Sequence, residues 1–283
     1  MKMTLTAAAL AAATALAMPA HATTLSITVT NEQGPGGLFF TPFLTAFHDG
    51  SYDTFNPGEA VRPEVEQIAE EGIVADEIGF INGLNGGAGF TTGVVTGPDG
   101  FGSGEGQPPV LDPGESSTIT LDVDEMSEVF FSFASMVIPS NDFFLSAPDP
   151  EAFRIFDDAG NFVLDGPISV VADQVWDAGT EVNDGNGAAF RGADPSDEVL
   201  VEDPEPSTDE NGVAVLANTL DDAGLPSLQD FFTAAGTQVT DIPSGSDALV
   251  TISIAEVAPI PLPAGLPLLA AGLGALALLR RRR

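Results

Sequence analysis

The sequence predicts an all-β protein, an antiparallel β-sandwich with one or two short helices and long acidic or glycine-rich loops. Apolar and polar residues alternate in residues 25–30, 117–123 and 248–255, as they do in strands that bury one face. Glycine and proline are concentrated in long stretches between the periodic segments. The 19 phenylalanines, against one tryptophan and one tyrosine, are suited to a packed sandwich core.

Two apolar runs predict strands that are buried more completely. The first covers residues 129–138 and ends where Pro139 has no N–H to donate to a sheet. The second covers residues 168–175. Residues 153–164 predict a hairpin, and the Asp-Asp-Ala-Gly sequence at residues 157–160 supplies its turn, with the aspartates acting as turn formers.

Residues 63–71 predict the clearest helix, because a proline stands in its first turn, acids follow early and Gly72 ends it. A shorter helix is predicted at residues 227–235, where a serine is a good N-cap. Residues 83–114 and 193–212 are rich in glycine, proline or acids, so both are predicted to be extended loops.

The N-terminal end predicts a secretory signal peptide at residues 1–22. A lysine near the start is followed by an alanine-rich apolar stretch and by Pro19-Ala20-His21-Ala22, a small-residue pattern that predicts cleavage after Ala22. We therefore expect export through the inner membrane, with residues 23–258 forming the domain.

The C-terminal end, residues 259–283, combines a proline-rich sequence, an apolar run at 262–279 and four arginines. As a helix, the run reaches about 27 Å and just spans a hydrocarbon core, and the arginines stay in the cytoplasm. This order resembles the PEP-CTERM sorting signals, in the form that reads Pro-Leu-Pro-Ala-Gly. The resemblance implies a temporary membrane tether that an exosortase-type enzyme removes; a plain C-terminal anchor is the alternative.

Between the two ends, 42 acidic residues face only three arginines, and there is no cysteine. A surface of this charge excludes nucleic acid and anionic lipid as partners, and it predicts that divalent cations collect and that the protein stays soluble at high salt. Disulfides and thiolate chemistry are excluded. With a single imidazole, His48, a zinc hydrolase with two or three histidine ligands is also excluded, and His48 is predicted to be structural.

Carboxylates follow both apolar runs. Asp142 comes after the first run, and Asp177, Glu181 and Asp184 come after the second. If the two strand ends meet at one edge of a sheet, these side chains offer the oxygen ligands that calcium prefers. Trp176, beside Asp177, is expected to be a core residue that fixes the loop.

Three sequence segments, in this order, resemble the spondin N-terminal domain: residues 48–53, 134–142 and 176–181. The resemblance covers roughly residues 24–256. It implies an antiparallel β-sandwich that carries a calcium ion, and carried over by position it implies Asp142, Asp177 and Glu181 as the ligands. Glu181 replaces an aspartate of the family, and Asp184 is close enough in sequence to substitute for it.

From these features we expect an exported, non-enzymatic calcium-binding module that acts in adhesion or matrix assembly at the cell surface or outside the cell. Extracellular polysaccharide or a matrix protein is the expected partner, and the membrane is contacted through the C-terminal helix. The alternatives are a passive matrix protein with a purely structural metal, and a two-carboxylate glycoside hydrolase, for which acids are plentiful.

Overall fold

The computed structural model describes residues 22–98, 110–183, 191–192, 212–217, 232–233 and 239–258. Apart from Ala22, the predicted signal peptide lies outside these ranges, as do the C-terminal apolar run and the loop predicted at 193–212, except for Gly212. Most of the predicted helix at 227–235 also lies outside them. Among the helices in the described ranges, none is long and apolar enough to cross a membrane.

The described residues form thirteen strands and two α-helices. The strands are β1 (Thr23–Asn31), β2 (Phe39–Phe40), β3 (Phe43–His48), β4 (Phe90–Val95), β5 (Ser116–Val123), β6 (Phe130–Ile138), β7 (Phe143–Ser146), β8 (Ile168–Val171), β9 (Val175–Asp177), β10 (Arg191–Gly192), β11 (Val215–Leu216), β12 (Phe232–Thr233) and β13 (Ala248–Glu256). The helices are α1 (Pro63–Glu71) and α2 (Ala75–Gly83).

The strands build two antiparallel sheets whose inner faces share one core, which confirms the predicted sandwich. One sheet has four strands in the order β5-β1-β13-β8. The other has seven, in the order β11-β9-β7-β6-β3-β4, with β2 also paired to β6. A separate short pair joins β10 to β12. The sheets come close at Gly93, where an added Cβ would lie 2.7 Å from the Ile119 side chain.

The four-stranded sheet follows the predicted alternation. On β1, Leu25, Ile27 and Val29 are buried in the core, while the residues between them face outward. Thr28 lies on this outer face and hydrogen-bonds across the strands to Thr118, with 2.8 Å between the hydroxyl oxygens. The period of two in the sequence therefore reports one buried and one solvated face.

Strand β6 is buried at all nine residues, as its apolar run predicts. Its inner face packs in the sandwich core, and Ala134 on its outer face packs with Ile68 of α1 and Ile81 of α2. Both faces of this strand are covered, which explains why its sequence does not alternate.

Helix α1 has the predicted bounds. Gly72 ends it in the left-handed conformation, with a φ of 68°, and its N–H donates to the Ile68 carbonyl at 3.0 Å. Helix α2 was not predicted. Its buried residues are Ile81 and Glu77, and a buried glutamate obscures the apolar face on which sequence-based detection depends.

Three predictions are corrected. The run at 168–175 is not one strand: β8 belongs to the four-stranded sheet, a 3₁₀ turn at Ala172–Gln174 follows, and β9 belongs to the seven-stranded sheet. The loop predicted at 83–114 contains β4. Residues 232–233, predicted as helix, form β12.

The predicted hairpin is present in reduced form, with one bridge between Phe156 and Phe162. Asp157 forms its turn as expected, since its Oδ1 accepts from the N–H groups of Ala159 at 2.8 Å and Asn161 at 2.9 Å. The aspartate of this turn therefore acts on the local backbone.

Candidate metal centre

Asp142 lies in the short turn between β6 and β7. Ser140 shapes this turn, because its hydroxyl donates to the Val137 carbonyl at 2.6 Å and accepts from the Phe143 N–H at 3.1 Å. Strand β6 ends at Ile138, as predicted, and Asp142 emerges fully buried at the start of β7.

Asp177 is the last residue of β9, which pairs with β7 so that Phe143 lies opposite Asp177. The N–H of Ala178 donates to the main-chain carbonyl of Asp142 at 3.1 Å. Asp142 and Asp177 therefore meet at one edge of the seven-stranded sheet, as the strand-end argument predicts.

The Asp142 carboxylate binds the loop that follows β9. Its Oδ2 accepts from the N–H of Thr180 at 2.8 Å, from the N–H of Glu181 at 3.0 Å and from the Thr180 hydroxyl at 3.2 Å. Its Oδ1 is buried and has no hydrogen-bond partner among the described residues. One oxygen thus holds the loop, and the other is a buried acceptor with no donor, an arrangement that is costly unless a cation or proton occupies it.

Asp177 orders the start of the same loop. Its Oδ1 accepts from the Gly179 N–H at 2.7 Å, and its Oδ2 accepts from the Asn183 side-chain amide at 2.8 Å. Gly179 has a φ of 69°, and a Cβ at this position would lie 2.5 Å from the carbonyl oxygen of Val213. Only glycine fits there without strain.

Burial disfavours the ionisation of both carboxyl groups, and the charge of Asp177 further disfavours that of Asp142. Burial, followed by the charge of Asp177, raises the pKa of Asp142 to about 7. Burial also raises the pKa of Asp177 above its ordinary value. The ion pairs Arg62–Glu77 and Arg154–Asp158 do not involve these aspartates. A divalent cation would supply the missing positive charge.

Glu181, the third predicted ligand, contacts Asp142 through its main chain. Glu181 is buried, and its main-chain N–H binds Asp142. However, no group of three His, Cys, Asp or Glu side chains in the described ranges is arranged to hold a metal. Asp184 lies outside those ranges. Asp142 and Asp177 lie together at the sheet edge, and the roles of Asp142, Asp177 and Glu181 as metal ligands stay predictions.

Sequence reasoning missed the polar partners of the two aspartates. Thr180 contributes a main-chain N–H and a hydroxyl, and Asn183 contributes an amide. A serine or threonine three residues after a strand-end aspartate is too common a pattern to identify such a contact. The close spacing of these residues to Asp177 was the available signal.

Trp176 is buried, as expected of a core residue. Its ring meets Phe55 edge to face, with 4.8 Å between the ring centroids, and it shares a cluster with Phe144 and with Val65 and Ala69 of α1. The residue before Asp177 is therefore locked in the packing between the sheet and α1, which fixes where Asp177 emerges.

His48 is structural, as predicted. It is fully buried on β3, its Nε2 lies 3.0 Å from the Ser132 hydroxyl, and its Nδ1 accepts from the Gly50 N–H at 3.1 Å. Burial lowers the pKa of His48 to about 4, so the imidazole is neutral at physiological pH.

Neither the models of known protein families nor the curated proteins compared with this chain match it. The resemblances to the spondin N-terminal domain and to the PEP-CTERM signal therefore stay predictions that rest on the phrases in the sequence.

Proposed function

We propose that the protein is an exported calcium-binding module that acts in adhesion at the cell surface or in the extracellular matrix. The observation that carries the proposal is the buried pair Asp142 and Asp177, in which one carboxylate oxygen of Asp142 has no partner in the described structure. Buried carboxylates are normally paired, protonated or bound to a metal.

Asp142 and Asp177 would bind calcium through their carboxylates, with Glu181 as the proposed third acid and Asp184 as the alternative. Main-chain carbonyls and water complete the six to eight oxygens that calcium prefers. Calcium supplies positive charge to the pair, so both aspartates can remain ionised and the loop from Asp177 to Asn183 is fixed on the sheet edge.

The ordered loop would then present a binding surface outside the cell. An extracellular polysaccharide or matrix protein is the proposed partner, and an exosortase-type enzyme would process the C-terminal tether. Pull-downs with matrix polysaccharide in calcium test this step, and recovery of no partner counts against an adhesive role.

The first experiment is thermal unfolding of residues 23–258 in EDTA and in a calcium titration, at one high sodium concentration. Calcium at a hundred times its Kd should stabilise the parent by about 2.7 kcal/mol. Asp177→Asn should lose this response, whereas Asp165→Asn, which changes an exposed acid, should keep it. Equal responses in all three proteins would mean that calcium only screens surface charge, and no response in the parent would remove the metal assignment.

A passive matrix protein with a structural metal is the competing proposal. Asp142→Asn, assayed in calcium, separates the two: loss of stability alone supports the passive role, and loss of adhesion with the fold intact supports the adhesive one. Both carboxyl groups of the pair have raised pKa values, and glycosidases also place a carboxyl group of raised pKa beside a second one. However, Asp142 is 0% and Asp177 6% exposed, so a sugar has no access to them. Absence of reducing-sugar release from matrix polysaccharide is the expected result.

A further inference from the structure

A short backbone segment, residues 212–214, connects the candidate calcium loop to a second loop. On one side, the Gly212 N–H donates to the Gly179 carbonyl at 2.8 Å. On the other side, the Ala214 N–H donates to the Glu59 carbonyl at 2.9 Å, and the Gly58 N–H donates to the Ala214 carbonyl at 2.8 Å. The loop that contains Gly179 is therefore held through this segment by the loop before α1, residues 53–62, named here the support loop.

Apolar packing follows the same route. Ala178 of the calcium loop and Ala214 of the connecting segment belong to one buried cluster with Phe55 of the support loop. Phe55 meets the rings of Trp176 and Phe144 edge to face, at centroid distances of 4.8 and 5.0 Å. Movement of the support loop would open this cluster directly beneath Asp177.

Arg62 closes the support loop. One of its terminal guanidinium nitrogens, Nη1, donates to the Asp53 carbonyl at 2.8 Å, and the other, Nη2, pairs with the Glu77 carboxylate of α2. The guanidinium also lies over the Phe80 ring, 4.3 Å from its centroid. Arg62 thus joins the start of the support loop, its end and the second helix.

Glu77 is fully buried, and it also accepts a hydrogen bond from the Tyr52 hydroxyl at 2.8 Å. The Glu77 side chain is 0% and the Arg62 side chain 29% exposed. An ion pair that is largely removed from water is often no more stabilising than apolar residues of the same shape, so it is better explained by the geometry it enforces. The planar guanidinium binds the Asp53 carbonyl and Glu77 through two separate nitrogens, whereas a lysine would have to reach both acceptors from a single nitrogen.

We propose that the Arg62–Glu77 ion pair positions the candidate calcium loop, by fixing the support loop that holds residues 212–214 against Gly179. The proposal rests on the calcium function proposed above. With Gly179 fixed, the N–H groups of Thr180 and Glu181 stay aimed at Asp142, and calcium meets a loop that is already ordered. Preorganisation of this kind raises affinity without any contact between the ion pair and the metal.

The test compares the full-length parent with Arg62→Lys, Glu77→Gln and the control Arg154→Lys, which alters the exposed Arg154–Asp158 pair. Calcium Kd is measured by calorimetry at a temperature where circular dichroism shows every variant folded. Arg62→Lys and Glu77→Gln should each bind calcium about tenfold more weakly than the parent. A change of this size lies within the range typical of coupling between sites. The control should match the parent.

Amide hydrogen exchange without calcium gives a readout that does not depend on metal binding. The amides of Gly212, Thr180 and Glu181 should exchange about tenfold faster in Arg62→Lys and Glu77→Gln than in Arg154→Lys. Unchanged exchange at these amides overturns the positioning role, as does a lowered Tm with an unchanged calcium Kd. A parent that binds no calcium but shows the exchange effect refutes the calcium function and supports the positioning of the loop.

Discussion

The main-chain N–H of Glu181 donates to Oδ2 of Asp142 at 3.0 Å, across 39 positions of the sequence. This bond ties the loop after β9 to the turn before β7, so Asp142 holds the loop even without a metal. Its two oxygens have separate tasks: Oδ2 accepts from the loop, and Oδ1 faces no donor in the described structure.

In the absence of calcium, we expect Asp142→Asn to stabilise the protein and Asp142→Ala to destabilise it. Asparagine keeps one acceptor for the loop N–H groups and removes a charge beside Asp177, so it should raise the unfolding free energy by about 1 kcal/mol at pH 8. Alanine leaves the N–H groups of Thr180 and Glu181 without an acceptor and should lower it by about 2 to 4 kcal/mol. Urea unfolding measures both. Equal destabilisation by the two changes would contradict the separate tasks of the oxygens.

The calcium-free parent should become less stable, relative to Asp142→Asn, as the pH rises from about 5 to 8. The folded state raises the pKa of Asp142 from 3.8 to about 7. The folded form thus holds the proton more tightly than the unfolded form, and the contribution of Asp142 is complete below pH 3.8 and lost as the pH rises through 7.

Urea unfolding at several pH values should give a relative change of about 2 kcal/mol over this range. Bound calcium favours the ionised pair, so it should remove this loss. A pH profile of the parent that stays parallel to that of Asp142→Asn would show that the pair does not retain its proton.

Gly179→Ala should destabilise the protein more than Gly166→Ala. Both glycines have positive φ, 69° and 83°. A Cβ at Gly179 would also lie 2.5 Å from the Val213 carbonyl oxygen, whereas nothing lies within 4 Å of a Cβ at Gly166. We expect a loss of about 2 to 4 kcal/mol at Gly179 and about 1 kcal/mol at Gly166, measured by urea unfolding. Similar losses would mean that the contact with Val213 relaxes freely.

The imidazole of His48 should stay neutral in the folded protein down to about pH 5, with the proton on Nε2. The Gly50 N–H donates to Nδ1, so Nδ1 carries no proton. Burial lowers the pKa of His48 to about 4. Since the unfolded pKa is 6.5, the stability from this group is present above pH 6.5 and is lost as the pH falls towards 4.

Nitrogen-detected NMR of residues 23–258 follows the single imidazole of this part of the chain. The same protein in urea supplies the reference titration. A folded pKa near 6.5 would show that water reaches the His48 ring.

Local sequence signals predicted the elements whose ends are set by residues within or next to the element. Pro63 and Gly72 bound α1 because each meets a backbone requirement at a helix end. Helix α2 escaped detection because Glu77 occupies its buried face, and Arg62, the partner that makes this burial tolerable, is 15 positions away.

For the candidate site, the sequence likewise located only the parts that depend on local signals. Asp142 and Asp177 follow from two strand ends, which sequence can locate. The support of Gly179 by residues 212–214 depends on pairing between distant segments, and no local pattern encodes it. Residues 168–175 were predicted to form one buried strand, but Ser169, Asp173 and Gln174 are exposed. The apolar residues of this run also do not reveal that its two halves belong to different sheets.

The 3₁₀ turn at Ala172–Gln174 carries the chain from one sheet to the other, and the number of residues in this turn matters to the structure. Val175 packs in the sandwich core, and Trp176, the next residue, packs on the opposite face against Phe55. Side chains alternate along a strand, so one inserted residue in this turn would exchange these two environments. The indole would face the core, the valine would face α1, and Asp177 would leave the side of the sheet that it shares with Phe143. Natural variation in this turn is therefore expected to keep its length while its residue types change.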